Sequence, residues 1–163
     1  MKIVYIDTQN VHKSIQNLGW TIDWWLFYLY LQEKFSPDCI KMFMGYIPQL
    51  EHLYTQMKTI GYTVIFKQTA KREDWTIKGN IDIDLTMHVM EDMLVWGLIS
   101  AYIVSGDGDY NTLVARLNTE KKLWRLLVPN INKTTSQLRH ASWSNIQSLV
   151  DLRHLVSKKE SSS

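Results

Sequence analysis

Five short apolar runs, rich in β-branched and aromatic residues, recur along this chain and alternate with stretches of helical spacing. That alternation limits the fold more than any other feature. The runs cover residues 2–6, 40–46, 62–66, 100–104 and 123–128 and read as strands. Helical patterns lie at 24–35 after Asp23 as N-cap, from Pro48 to residue 60 before Gly61, at 81–96 before Gly97, at 110–118 and at 136–140; a final segment spans 145–156. In the 81–96 stretch the apolar positions Ile81, Leu85, Val89, Met93 and Trp96 keep helical spacing. Strands joined through helices pair in parallel and are covered on both faces. The expected fold is therefore a single Rossmann-like α/β domain with a mostly parallel central sheet and helices on both faces. The domain is expected over residues 1–155, with a polar C-terminal tail at 156–163.

The strands end in carboxylates. Ser105-Gly106-Asp107-Gly108-Asp109 follows the fourth run, and Asp7-Thr8-Gln9-Asn10 follows the first. In an open α/β sheet the C-terminal rim is where ligands bind. Asp-Gly pairs are common in turns, and a single Asp at a strand end is usually structural. Two strands delivering acids to one rim are different, because like charges crowd at a cost unless a cation screens them. Asp7, Asp107 and Asp109 are the expected metal-facing acids. An EF-hand is excluded, since Thr112 stands where the loop needs Gly and Asn118 where it needs Glu.

Composition sets the outer bounds. The chain has 163 residues, 45% of them apolar and seven of them Trp, enough for one domain with a real core. A formal charge of +2 does not announce a polyanion partner, although it allows local basic patches. Cys39 is the only cysteine, which excludes intramolecular disulfides and thiolate zinc sites. Asp7 and Asn10 interrupt the early apolar run, and no uncharged run approaches the ~20 residues of a membrane span. No membrane association is expected, and the cytoplasm is the expected compartment.

A third acidic pair, Asp82 and Asp84, opens the helix after the third run, where the helix dipole favours acids. Residues two apart do not share a face. Asp82 falls in line with Leu85 and Val89 on the sheet side, and Asp84 with His88, so Asp82 is the expected metal-facing member. Before it lies a polar, basic stretch with Lys67, Lys71, Arg72, Trp75 and Lys78. Lys71, Arg72 and Lys78 are expected to contact nucleic-acid phosphates beside the acidic rim. Trp24, Trp25, Trp96, Trp124 and Trp143 are expected to serve packing.

Taken together, Ile6-Asp7-x-x-Asn10, Lys78-Gly79-Asn80-Ile81-Asp82-Ile83-Asp84-Leu85 and Val104-Ser105-Gly106-Asp107-Gly108-Asp109-Tyr110 resemble the NYN domain, a branch of the PIN-like nuclease superfamily. The resemblance extends over about residues 1–155 and includes Leu127-Val128-Pro129-Asn130 and Leu138. It implies a Rossmann-like sandwich, an acidic cluster binding Mg²⁺ or Mn²⁺, and endoribonuclease activity. By position, Asp7, Asp82, Asp107 and Asp109 become the metal-facing acids, and Asn10 and Ser105 support the site or the substrate. One position departs: the family often has an Asp six residues after the one matching Asp82, and here it is His88.

The expected function is metal-dependent hydrolysis of phosphodiester bonds in RNA, single-stranded RNA by resemblance. A homodimer is compatible with this reading. The rival is a PIN-like domain that binds RNA with little or no turnover, which the His88 departure favours. A small-molecule phosphohydrolase of the haloacid-dehalogenase type needs Asp-x-Asp after the first strand, and residue 9 is Gln. A receiver domain needs a phospho-acceptor Asp on a central strand and a Lys after a later one, and that order is not met.

Overall fold

The computed structural model describes residues 1–67 and 81–159. Six strands form one sheet in the order β3-β2-β1-β4-β5-β6, every neighbouring pair parallel. They are β1 (Lys2–Asp7), β2 (Cys39–Met44), β3 (Thr63–Phe66), β4 (Ser100–Val104), β5 (Leu123–Val128) and β6 (Ile146–Ser148). The described helices are α1 (Thr8–Asn17), α2 (Trp24–Phe35), α3 (Glu51–Ile60), α4 (Ile81–Leu94), α5 (Asn111–Thr119), α6 (Ser136–Ser142) and α7 (Arg153–Val156). The expected α/β domain is present, and its sheet is parallel throughout. Among the described residues no helix is long and apolar enough to cross a membrane.

Alternation along β1 sorts the core into two layers. Val4 and Ile6 face one layer with Met42, Met44, Phe27, Leu31 and Tyr54, beneath α1, α2 and α3. Ile3 and Tyr5 face the other with Phe43, Leu85, Val89, Val114 and Leu138, beneath α4, α5 and α6. Asp7 has the parity of Ile3 and Tyr5, so the β1 carboxylate faces the α4 side.

Two elements depart from expectation. Asp7 does not lead into a loop: its side chain caps α1, which starts at the next residue. Thr8–Asn17 buries only Val11 and Ile15, a single turn's spacing of apolar residues, which is too sparse a stripe to read as a helix. β6 has three residues, below the length at which periodicity speaks. Pro48 opens a short 3-10 turn, Pro48–Leu50, and α3 follows it. Gly61 closes α3 at φ +124°, and Gly97, three residues beyond the end of α4 at Leu94, has φ +68°, a region that side chains other than glycine's disfavour.

Trp24 packs against the core as expected, while most of the other tryptophans lie at the surface. Trp25, Trp96, Trp124 and Trp143 are each at least 50% exposed, whereas Trp20, not singled out above, is buried. Trp25 stacks on Tyr28 and Trp124 leans on Phe35, so they pack at the surface and not in the core. Val156, at the start of the expected tail, is fully buried.

Candidate metal centre

The strand order turns back on itself between β1 and β4. The outward path runs β1, β2, β3, and the chain then returns to the far side of β1 to begin β4. At such a switch point the connections leave in opposite directions and open a crevice. Asp7 ends β1, Asp107 follows β4, and Asp82 lies in the first turn of α4. Oxygens from these three carboxylates lie within 4.8 Å of one another. Asp109 is not one of the three. Its side chain is exposed, while its backbone N–H donates to Asp107 Oδ1 at 3.0 Å. Asp84 also lies outside the cluster, so α4 presents Asp82 to the crevice, in line with the buried Leu85 and Val89.

The loops are stitched to the strands. The Asn10 N–H donates to Asp7 Oδ1 at 3.1 Å, and Asn10 Oδ1 accepts the Gly106 N–H at 2.9 Å. The fully buried Ser105 accepts the Asp107 N–H at 3.1 Å, and its hydroxyl reaches Asp7 Oδ2 at 3.5 Å. A Cβ at Gly106 would come within 2.9 Å of the Pro129 ring. Glycine is therefore required for the β4 loop to lie this close to the loop after β5.

Tyr110 was not singled out by its sequence. It is fully buried, its hydroxyl donates to Asp7 Oδ2 at 3.2 Å, and it also interacts with Asp82. Burial and these two acids push its pKa far above the usual phenol value, so it stays a neutral donor. The available signal was its place directly after Asp109, on the first turn after a strand-end acid. Lys13 and Lys67 line the same crevice, a space of about 280 Å³. Lys67 belongs to the basic stretch read from the sequence. Lys13 was missed together with α1. Lys71, Arg72, Trp75 and Lys78 lie outside the described residues. His88 sits further along α4, its ring edge-on to Phe43 with 5.2 Å between centroids.

Burial pushes the Asp7 carboxyl up from 3.8 to about 6. Asp82 and Asp107 add to the effect, and the Asn10 N–H and Tyr110 hydroxyl oppose it. A carboxylate that resists ionisation in the folded state favours folding below its ordinary pKa and loses that contribution as pH rises through the raised one. The difference is about 3 kcal/mol. In chelator, Asp7→Asn is therefore expected to be more stable than wild type at pH 7, by up to about that amount, with the gain vanishing near pH 4. Urea denaturation of both proteins across this range checks it. Asn retains the capping oxygen but not Oδ2, the acceptor of the Tyr110 and Ser105 hydroxyls, so the charge effect is read from how the difference between the two proteins changes from pH 4 to pH 7.

The donor set is all hard oxygen, two of the three acids are only partly buried, and the buried one, Asp7, resists ionisation where it lies. These properties fit a small divalent cation of the Mg²⁺ or Mn²⁺ kind. The family model for the NYN domain matches residues 2–148. The chain belongs to the NYN family. This NYN domain thus has a PIN-like, nuclease-type α/β fold, and a cluster of acidic residues is present in it. No curated protein matches the chain. Among solved structures, it is similar to a protein of unknown function from Vibrio parahaemolyticus, at 20% identity with a TM-score of 0.75 over 91% of each chain. That likeness concerns the fold.

Proposed function

We propose that this NYN domain is a metal-dependent endoribonuclease acting on single-stranded RNA. The observation that carries the reading is the convergence of Asp7, Asp82 and Asp107 at the β1/β4 switch point, beside two lysines. Asp7, Asp82 and Asp107 would hold Mg²⁺ or Mn²⁺. The ion supplies Lewis-acid polarisation of a phosphate oxygen and a bound water of lowered pKa. The chain's own groups do the rest. Tyr110, Ser105 and Asn10 hold the Asp7 carboxylate, Ser105 also accepts the Asp107 backbone N–H, and the Asp109 N–H holds the Asp107 carboxylate, so these two acids are arranged before substrate arrives. Lys13 and Lys67 place positive charge at the crevice wall, which attracts the phosphates of a polyanion that the acids alone would repel. Asp109 lies exposed at the rim, where it can accept a hydrogen bond from substrate or from metal-bound water. Lys71, Arg72 and Lys78 extend the same basic role in the sequence leading into α4.

The second reading is an RNA-binding domain with little turnover, supported by His88 in place of the family's usual Asp. One experiment separates the two. Purified protein is incubated with mixed-sequence single-stranded RNA and DNA in Mg²⁺, Mn²⁺ or EDTA. The expected result is internal cleavage of RNA with either metal and none in EDTA. RNA retention without cleavage in any metal would support the scaffold instead.

A further inference from the structure

A cavity of about 470 Å³ opens beside the carboxylate crevice, on the opposite face of the sheet from α4. Its volume is in the range of ligand sites. Its walls are apolar and flexible: Met42 and Met44 from β2, Trp24 from α2, and Leu53 and Met57 from α3. Its polar residues come mainly from one element. Thr8, Gln9 and His12, on the first turns of α1, all line it. Gln9 also lines the carboxylate crevice, so the two compartments adjoin at that residue. The Thr8 hydroxyl is buried and, among the described residues, has no hydrogen-bond partner.

We propose that this cavity receives one unstacked nucleobase of the RNA whose phosphate lies in the carboxylate crevice. The inference rests on the RNA reading above. A base has two apolar faces and a polar edge, and this lining offers that division: thioether and indole walls, with the Gln9 amide and the His12 imidazole at the α1 side. A base and its own phosphate are joined through a single sugar, so their sites must touch, and here they touch at Gln9. RNA recognition works by splaying bases out of the stack into such sites. The charge pattern agrees with this occupant. Lys13 and Lys67 border the crevice, and Lys158 borders the cavity, so the backbone between the two compartments would run past cations.

The test is a binding titration in EDTA, by fluorescence anisotropy, with a labelled single-stranded RNA hexamer and an abasic hexamer of the same sugar-phosphate backbone. Wild type is expected to bind the intact hexamer about tenfold more tightly, as one stacked base contributes. Gly45→Phe is the blocking variant. Gly45 lines the cavity, its φ lies outside the left-handed region, and an added Cβ meets nothing within 4 Å. It should reduce the intact hexamer's affinity to the abasic level and leave the Mn²⁺-induced rise in melting temperature unchanged. His12→Leu is the second variant, of similar volume and without the imidazole's polar edge. It should weaken the intact hexamer severalfold and leave the abasic one alone. Equal affinity of wild type for both hexamers overturns the base pocket while the RNA reading stands. Failure to bind either overturns both. An apolar dye displaced by Gly45→Phe, with RNA affinity unmoved, assigns the cavity to an apolar small molecule and overturns the proposal as well.

Discussion

Asp107→Asn is expected to lower metal-dependent RNA cleavage at least about a hundredfold, since disturbing a group that only orients a metal ligand already costs 10–100-fold. The fold should be unaffected. Asn keeps the oxygen that accepts the Asp109 N–H, and removing one of three crowded charges relieves repulsion. In chelator the variant should therefore melt no lower than wild type. In millimolar Mn²⁺ wild type should gain stability, because the ion binds only the assembled cluster, and the variant should lose that gain. Asp7→Asn and Asp82→Asn should behave alike, and the double variants should be scarcely slower than the singles, as expected of groups acting through one centre. Asp109→Asn should cost clearly less, since its side chain stands outside the three-carboxylate group. Equal losses at Asp109 and Asp107 would move the centre outward along the β4 loop. Full activity in Asp107→Asn would place the chemistry elsewhere.

The legibility of this site followed from what each residue answers to. Asp7 and Asp107 could be read because strand ends are marked by apolar runs, and the rim of a parallel sheet is fixed by the fold class. Asp82 could be chosen over Asp84 because helical spacing ties it to Leu85 and Val89, both buried. Tyr110 and Lys13 depend on features that periodicity does not report. Tyr110 points inward only because the 3-10 turn Gly108–Tyr110, capped by Asp107, swings it beneath Asp7. Lys13 lies on α1, whose sequence carries two buried apolar residues and takes its helical form from the Asp7 cap and the sheet beneath it. The apolar cavity was likewise invisible, because it is assembled from α1, α2, β2 and α3 and no one segment announces it. The strand order could not be read from spacing either, and it is what brings β1 and β4 side by side.

Breaking the ion pair of Lys41 and Asp92 is expected to be strongly destabilising. Lys41 Nζ lies 2.5 Å from Asp92 Oδ2, with side chains 14% and 7% exposed, and the Tyr5 hydroxyl donates to the same oxygen at 2.7 Å. Tyr5 and Lys41 are register partners on β1 and β2, and Asp92 comes down from α4, one turn beyond Val89 on the same stripe. The spacing of 82, 85, 89 and 92 therefore puts an acid at each end of one helix face. The first faces the crevice, and the second is fastened to the sheet. Asp92→Asn or Lys41→Met leaves the surviving charge buried without its counterion, at a cost of about 3–5 kcal/mol. For a chain of this size the melting temperature should fall by roughly 10 °C. Lys41→Met combined with Asp92→Leu should recover much of the loss once Tyr5→Phe also removes the hydroxyl that Asp92 accepts, because apolar residues of similar volume avoid the desolvation of both charges and leave no buried donor unpaired. If the ion pair fixes the pitch of α4 on the sheet, Asp92→Asn should weaken Mn²⁺ binding measured below its melting transition, through Asp82, and the apolar pair should restore it. Unchanged Mn²⁺ affinity in a destabilised Asp92→Asn protein would confine the ion pair to stability and leave the placement of Asp82 to the packing of Leu85 and Val89.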